Sequence, residues 1–187
     1  MSREDYLPAL FQLFRSSGYD GVSLSKISKA TGLGKASLYH HFPGGKAEML
    51  QATMDYTQGW FEENVIGVLR QNKPARERIK EMCDRIDKLY ESGEQPCFIA
   101  ALTSGSPRDT FQEPIKFRLE GMIEAIAQTL IEAGLSSKLA YQRGEDAVIT
   151  IQGALILARG TNEPQRFQRA IAQLPERLCE GIRGDSE

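Results

Sequence analysis

Apolar residues recur at intervals of three and four along most of the chain, the spacing that places side chains on one face of an α-helix. The first such stretch, residues 3–17, ends at Ser16-Ser17-Gly18, where the periodic pattern stops. No stretch shows the strict alternation of apolar and polar residues that is typical of a half-buried strand. The pattern therefore predicts an all-α protein.

Residues 22–42 contain two short helical patterns joined by a glycine turn. The first follows Ser23, whose hydroxyl can accept hydrogen bonds from the free amides of a first helical turn. Gly32 then interrupts the pattern, and glycine adopts the positive φ of a helix-ending turn without steric cost. The second pattern covers Lys35–His41. This layout predicts a three-helix domain with a helix-turn-helix, in which the second helix of the motif enters the DNA major groove.

The second helix of this motif combines an apolar face with a small, polar face, at about 100° per residue. Leu38 and Phe42 lie four apart and predict the face that packs on the protein. The opposite face suits close approach to base edges, because it carries small side chains, a hydroxyl and an imidazole. No acidic residue occurs between Val22 and Ala47. We expect the tyrosine on the flank and the lysine that opens the next helix to bind phosphates. The residues predicted to contact DNA are Ser23, Lys35, Ala36, Ser37, Tyr39, His40, His41 and Lys46.

A longer helical pattern runs from Lys46 to about Arg70, where Asn72-Lys73-Pro74 ends it. This helix would connect the DNA-binding helices to the rest of the chain, so it is the natural element to transmit a change of state. We therefore predict a helix-turn-helix domain over residues 1–46 and a second helical domain over residues 47–187.

Four further helical patterns follow, over residues 75–91, about 106–133, 137–159 and 164–182. In the second, Ser106-Pro107-Arg108-Asp109 resembles a helix start with a capping serine, although Pro114 is an alternative start. Residues 147–158 are apolar almost all round, so a helix there must be covered on every side. A second copy of the chain is the simplest last layer of cover, although packing within one chain is the alternative. A dimer would present two recognition helices, which predicts a palindromic DNA site. The predicted interface residues are Val148, Ile151, Gln152, Leu155, Ile156, Arg159, Phe167, Ile171, Leu174 and Leu178.

Composition restricts the class of protein. The 187 residues are 41% hydrophobic and 26% charged, with a formal net charge of −2, a balance typical of globular proteins. Cys83, Cys97 and Cys179 are odd in number and widely spaced, so we expect free thiols and a cytoplasmic location. The only histidines, His40 and His41, lack partners at metal-ligand spacing, so no metal or other cofactor is expected. The N-terminal residues lack the apolar core of an export signal. The longest apolar run is shorter than the ~20 residues that span a bilayer, so no membrane partner is expected.

The run ISKATGLGKASLYHHF, residues 27–42, followed by Lys46 and Leu50, resembles the signature of the tetracycline-repressor (TetR) family. The segment FPGGK is similar to the LmrA/YxaF-like multidrug-type branch of that family. The resemblance implies that residues 47–187 form an effector-binding and dimerisation domain with a four-helix dimer interface. It also implies a repressor that leaves its DNA when a small, hydrophobic effector moves the connecting helix. Gly34 and Ala36 depart from the residues usual at their positions in the signature, so the operator sequence is not implied.

The pocket residues implied by this resemblance are the apolar, aromatic and sulfur-containing side chains of the middle helices. Such stripes at helical spacing more often form a core than a ligand site. The candidates are Trp60, Met82, Ile86, Tyr90, Cys97, Phe98, Phe117 and Met122.

Two alternatives to a ligand-responsive repressor stay open at this point. One is a DNA-binding regulator of another kind, which either responds to a protein partner instead of a small molecule or activates transcription. The other is a small-molecule carrier or sensor that acts without DNA, which would not need an acid-free recognition helix. An enzyme is not expected, because the sequence has no histidine outside the helix-turn-helix, no glycine-rich phosphate loop and no carboxylate pair on an apolar face.

Overall fold

The computed structural model describes residues 2–103, 105–106 and 109–182. This part of the chain is built from helices and turns and contains no strand, so the predicted all-α class is confirmed. A short 3-10 turn, Glu4–Tyr6, precedes the first helix, and a second one lies at Glu91–Gly93. The helices are α1 (Leu7–Ser17), α2 (Leu24–Thr31), α3 (Lys35–His41), α4 (Gly45–Phe61), α5 (Gly67–Leu69), α6 (Ala75–Leu89), α7 (Phe98–Leu102), α8 (Gln112–Glu132), α9 (Ser137–Thr161) and α10 (Gln165–Cys179).

The chain divides into two compact units. The first contains the residues up to Trp60 together with Cys97–Ile115, and the second contains Phe61–Pro96 together with the residues from Lys116 onward. The first unit thus includes α7, which lies beyond residue 46. The functional boundary between residues 46 and 47 stays a prediction, because compactness does not report which residues bind DNA.

The first unit is organised around the apolar faces of α1, α2 and α3. Leu10, Phe14 and Ile27 are fully buried there, at the helical spacing that their sequence positions predict. The short helix α7 packs on α1, and the rings of Phe11 and Phe98 meet edge to face with centroids 5.4 Å apart. α7 therefore packs against the three-helix domain that contains the helix-turn-helix and helps to stabilise it.

The second unit buries the facing sides of α6, α9 and α10. The ring of Tyr90, just after α6, meets that of Phe167 on α10 edge to face, with centroids 5.8 Å apart. All three cysteines of the chain are thiols rather than disulfides, as predicted, and all three are buried. Burial raises the pKa of the Cys83 thiol to about 12, so this group stays protonated at neutral pH.

The predicted long helix is present, but it is interrupted. A π-helical segment, Glu62–Ile66, separates α4 from α5. The carbonyl of Leu69, in the last turn, accepts hydrogen bonds from Arg78 Nη1 at 2.6 Å and Thr129 Oγ1 at 3.3 Å. Arg78 Nη1 also lies 2.8 Å from the Glu132 carboxylate. Since the last carbonyls of a helix have no partner within the helix, these two side chains complete its C-terminal end.

The predicted capping role of Ser106 is wrong, and the alternative start near Pro114 is the better one. α8 begins at Gln112, with Pro114 in its first turn. Ser106 instead donates from its backbone N and its hydroxyl to the carboxylate of Asp20, with a backbone distance of 2.9 Å. These hydrogen bonds lower the pKa of Asp20. The neighbouring Pro107 and Arg108, on which the predicted cap also rested, lie outside the described residues.

Two helical glycines allow a direct test of the packing between α8 and α9. A Cβ atom on Gly144 of α9 would lie 2.7 Å from the Ile123 carbonyl oxygen of α8, whereas nothing lies within 4 Å of a Cβ on Gly121. We expect Gly144→Ala to lower the free energy of unfolding by about 1–3 kcal/mol through overpacking. Gly121→Ala should instead raise it by about 0.5–1 kcal/mol, because alanine restricts the unfolded chain. Urea denaturation measures both, and equal effects of the two substitutions would contradict the close approach.

Candidate nucleic-acid interface

Hydrogen bonds between side chains and the backbone fix the beginning of α2 and the turn between α2 and α3. The Ser23 hydroxyl accepts from the backbone N of Lys26 at 3.2 Å, as its predicted capping role requires. Gly32 has φ of 73°, in the left-handed region, where the pattern predicted a turn. The Ser28 hydroxyl then donates to the Leu33 carbonyl at 2.5 Å, across this turn. The left-handed Gly32 and the Ser28 hydrogen bond set the direction in which α3 leaves α2.

The apolar anchors of α3 determine which of its faces meets the solvent. Leu38 and Phe42 are 1% and 0% exposed, as predicted. Lys35, Ala36, Ser37 and His40 are exposed, and so is Tyr39. The predicted base-reading face is therefore accessible along the whole helix.

His41 occupies a different position from the other predicted DNA contacts. It is half-buried, and its ring centroid lies 5.2 Å from that of Tyr6. Its ring thus packs against the turn that precedes α1, at the edge of the exposed face of α3. Its predicted contact with DNA stays a prediction.

Lys46 has an internal role that the sequence did not indicate. Its Nζ donates to the carbonyls of Tyr19 at 3.1 Å and Val22 at 3.0 Å, and it lies 4.1 Å from the centroid of the Tyr19 ring. The ammonium therefore ties the beginning of α4 to the turn between α1 and α2. Its predicted phosphate contact would be an additional role.

The carboxylate of Glu48 lies at the N-terminal end of α4, a position that the sequence pattern did not indicate. Glu48 Oε2 accepts from the backbone N of Gly44 at 2.7 Å, and Glu48 Oε1 lies 2.9 Å from Arg3 Nη1. A carboxylate in this place satisfies a free amide and offsets the positive end of the helix dipole. The predicted attraction of this helix end for a phosphate is weakened accordingly.

The predicted pocket residues fall into both compact units. In the first unit Cys97 and Phe98 are buried and Trp60 is exposed. In the second unit Phe117 is 62% exposed, and the others are buried: Met82, Ile86, Tyr90 and Met122. Phe98 and Tyr90 make ring contacts with Phe11 and Phe167, which are typical of a core. A ligand role for these side chains stays a prediction.

Most of the predicted dimer-interface residues pack inside their own chain. Within the described part of one chain Ile156 and Arg159 are exposed and Gln152 is half-buried, whereas the following are buried: Val148, Ile151, Leu155, Phe167, Ile171, Leu174 and Leu178. Periodicity finds apolar faces, but it does not tell whether the same chain or a partner covers them. The large apolar side chains that α9 leaves most exposed are Ile149, Ile156 and Leu157. Ile149 and Leu157 belong to the apolar run 147–158 identified in the sequence, but they were not among the predicted interface residues.

Comparison with protein families identifies the fold and the motif together. Residues 7–53 match the profile of bacterial regulatory proteins of the tetR family, and residues 72–173 match that of the LmrA/YxaF-like transcriptional regulator C-terminal domain. The chain belongs to the TetR family. As a TetR-family protein it is a DNA-binding transcriptional regulator and not an enzyme.

The similarity to individual relatives covers nearly the whole of this TetR-family chain. The chain is 26% identical over 178 residues to the HTH-type transcriptional regulator YxaF of Bacillus subtilis, and the match covers 93% of each chain. A TetR transcriptional regulator from Legionella pneumophila has the same fold, with a TM-score of 0.80 at 21% identity, over 95% of this chain and 97% of that one. The regulator CifR, in a structure with double-strand operator DNA, matches with a TM-score of 0.76 at 19% identity, over 94% and 96% of the chains.

The described residues of this TetR-family protein lack the features of a membrane-spanning helix and of a metal site. There, no helix is long and apolar enough to cross a membrane. Nor do three or more histidine, cysteine or acidic side chains cluster in these residues as a metal site would require.

The internal contacts of Lys46 predict an effect on stability. We expect Lys46→Met to lower the free energy of unfolding by about 1–3 kcal/mol, because two carbonyls lose a charged donor. Lys35→Met is the matched control, since Lys35 is exposed, and its effect should stay within about 0.5 kcal/mol. Urea denaturation gives both values. Unchanged stability of Lys46→Met, with only its DNA affinity reduced, would show that the carbonyl contacts contribute nothing.

Proposed function

We propose that this TetR-family regulator is a homodimeric repressor that binds a palindromic operator through α3 of each subunit. A small, hydrophobic effector then releases it from DNA. The observation that carries the proposal is the exposed face of α3, which is small and polar and is held outward by two buried anchors. Such a helix can place side chains against base edges in the major groove.

The exposed residues of α3 suggest a division between base and phosphate contacts. Ala36 and Ser37 are small, so they allow the helix backbone to approach the bases closely. His40, one turn further, presents ring nitrogens that can donate to or accept from base edges. Tyr39 lies on the flank with an exposed ring, where its hydroxyl can donate to a phosphate. We therefore assign base readout to Ser37 and His40 and backbone contact to Tyr39.

The exposed apolar face of α9 supports a second copy of the chain as the partner. Ile149, Gly153, Ile156, Leu157 and Gly160 recur at helical spacing and are all exposed. A Cβ on either glycine would have nothing within 4 Å, so both mark open surface at which another backbone can approach. Apolar side chains grouped in this way typically mark an interface. A two-fold axis would place this face against the same face of the partner.

The effector part of the proposal rests on the matched LmrA/YxaF-like C-terminal domain and on the chemistry of the predicted pocket residues. Met82, Ile86 and Met122 are apolar, which favours a neutral, hydrophobic ligand. To act, such a ligand must bind better to a dimer whose recognition helices no longer match the groove spacing of about 34–36 Å. A regulator that answers to a protein partner would instead show no release by any small molecule extracted from, or added to, the purified protein.

Selection of bound sequences from a random DNA pool, with the mass of the protein measured in solution, tests the proposal as a whole. An enriched palindrome bound by a dimer is expected. A protein that stays monomeric, or that enriches no sequence after its bound small molecules have been extracted, would contradict it.

A substitution that disrupts the proposed α9 interface should lower the mass of the protein in solution from that of a dimer toward that of a monomer. Ile156→Glu places a charge on a side chain that is 67% exposed in one chain, so the dimer should weaken by at least tenfold while the protomer still folds. Phe117→Glu is the control, because Phe117 is similarly exposed, at 62%, but lies on α8, outside the proposed interface. Sedimentation equilibrium distinguishes them. A fully dimeric Ile156→Glu variant would place the interface elsewhere.

Base readout by His40 predicts a change in sequence preference. His40→Ala should alter the preferred base at one position of each half-site, at about 1–3 kcal/mol for a good contact. Tyr39→Phe should reduce affinity for all sequences alike, because a phosphate contact carries no sequence information. Repeating the selection with each variant measures both effects. If His40→Ala enriches the same sequence as the unaltered protein, His40 does not read a base.

A further inference from the structure

Four lysines lie in the acid-free stretch between Val22 and Ala47, and the structure divides them into two pairs. Lys26 Nζ donates to the Gly21 carbonyl at 2.7 Å, and Lys46 Nζ donates to the Tyr19 and Val22 carbonyls. Lys29 and Lys35 are exposed and have no hydrogen bond or ion pair with any residue that the structure describes. Two of the four ammonium groups thus stabilise the fold, and two remain available to a ligand.

The two available lysines line one cleft. It lies between α2 and α3, has a volume of about 460 Å³, and is lined by Leu24, Ser25, Ser28, Lys29, Lys35 and Leu38. Lys29 contributes from the second turn of α2, and Lys35 is the first residue of α3. We call this feature the α2–α3 cleft.

The chemistry of the α2–α3 cleft fits a small anion. Two ammonium groups on the walls of one cleft repel each other, and a bound negative charge removes that repulsion. The Ser25 hydroxyl is exposed and can donate to an oxygen of the anion, whereas the Ser28 hydroxyl already donates to Leu33. A neutral, hydrophobic effector is a poor occupant, since it would have to displace water from both ammonium groups without replacing their hydrogen bonds.

We propose that the α2–α3 cleft binds a phosphate of the DNA backbone, held by Lys29 together with Lys35 and Ser25. The cleft adjoins the exposed face of α3, so a duplex docked on that face brings backbone oxygens to its mouth. In helix-turn-helix proteins the first helix crosses the backbone while the second meets the bases, which matches the position of Lys29 on α2. Lys29 and Ser25 therefore fix the register of α3 on the duplex without reading sequence. This inference rests on the proposed DNA contact through α3.

The salt dependence of DNA binding tests the charge. We expect Lys29→Gln to reduce the slope of log affinity against log salt concentration by about 1.8 for the dimer, because each of its two subunits loses one phosphate contact worth about 0.9 on duplex DNA. The preferred sequence should not change. Lys88→Gln is the matched control, because Lys88 is an exposed lysine on α6, and its slope should equal that of the unaltered protein. Unfolding midpoints check that both variants are folded. An unaltered slope for Lys29→Gln, or an altered sequence preference, would overturn the proposal.

Neutral phosphate analogues locate the contact. One methylphosphonate at a time replaces a phosphate of the selected duplex, and each duplex is bound by the unaltered protein and by Lys29→Gln and Lys35→Gln. At one position in each half-site the loss of affinity should be smaller for either variant than for the unaltered protein, because each variant already lacks one of the lysines that hold that phosphate. Equal losses in all three proteins at every position would show that Lys29 and Lys35 bind no phosphate. Failure of the unaltered protein to bind any duplex would overturn both this inference and the proposed function, whereas normal binding with equal losses overturns this inference alone.

Discussion

Burial of Leu38 and Phe42 is the contact on which the DNA-binding surface depends. The helix that carries the recognition face has seven residues, and isolated helices of that length are not stable in water. Its stability therefore comes from packing, with about 1.5–3 kcal/mol for each large apolar side chain fully removed from solvent. The same two contacts turn Ser37 and His40 outward. The packing of these two side chains thus stabilises the helix and determines which of its residues are exposed to DNA.

The elements that depend on local chemistry could be predicted from the sequence. Ser23 and Gly32 mark the ends of α2 because capping and left-handed backbone are properties of single residues and their neighbours. The faces of α1, α3 and α10 follow from apolar spacing. Membership of the TetR family was likewise indicated by a motif of adjacent residues.

The features that depend on distant contacts could not be predicted. Lys46 looked like a free cation because nothing nearby in sequence revealed that the Tyr19 and Val22 carbonyls would face it. The capping pattern at Ser106 was overridden by the carboxylate of Asp20, 86 residues away. The apolar run on α9 was identified correctly, but only the fold shows that Ile151 packs inward while Ile149 stays exposed. The π-helical segment Glu62–Ile66 has no signal in the sequence that we can name.

The central claim is that the exposed face of α3 lies in the major groove and contacts base edges there. Methylation protection of the selected duplex tests it most directly, because dimethyl sulfate modifies guanine N7 in the major groove and adenine N3 in the minor groove. We expect bound protein to protect guanine N7 in two segments about one helical turn, 34–36 Å, apart, and to leave adenine N3 reactive. In half-sites that contain guanine, protection of adenine N3 alone, or of neither atom, would mean that α3 does not enter the major groove, which would contradict the proposed mode of DNA binding.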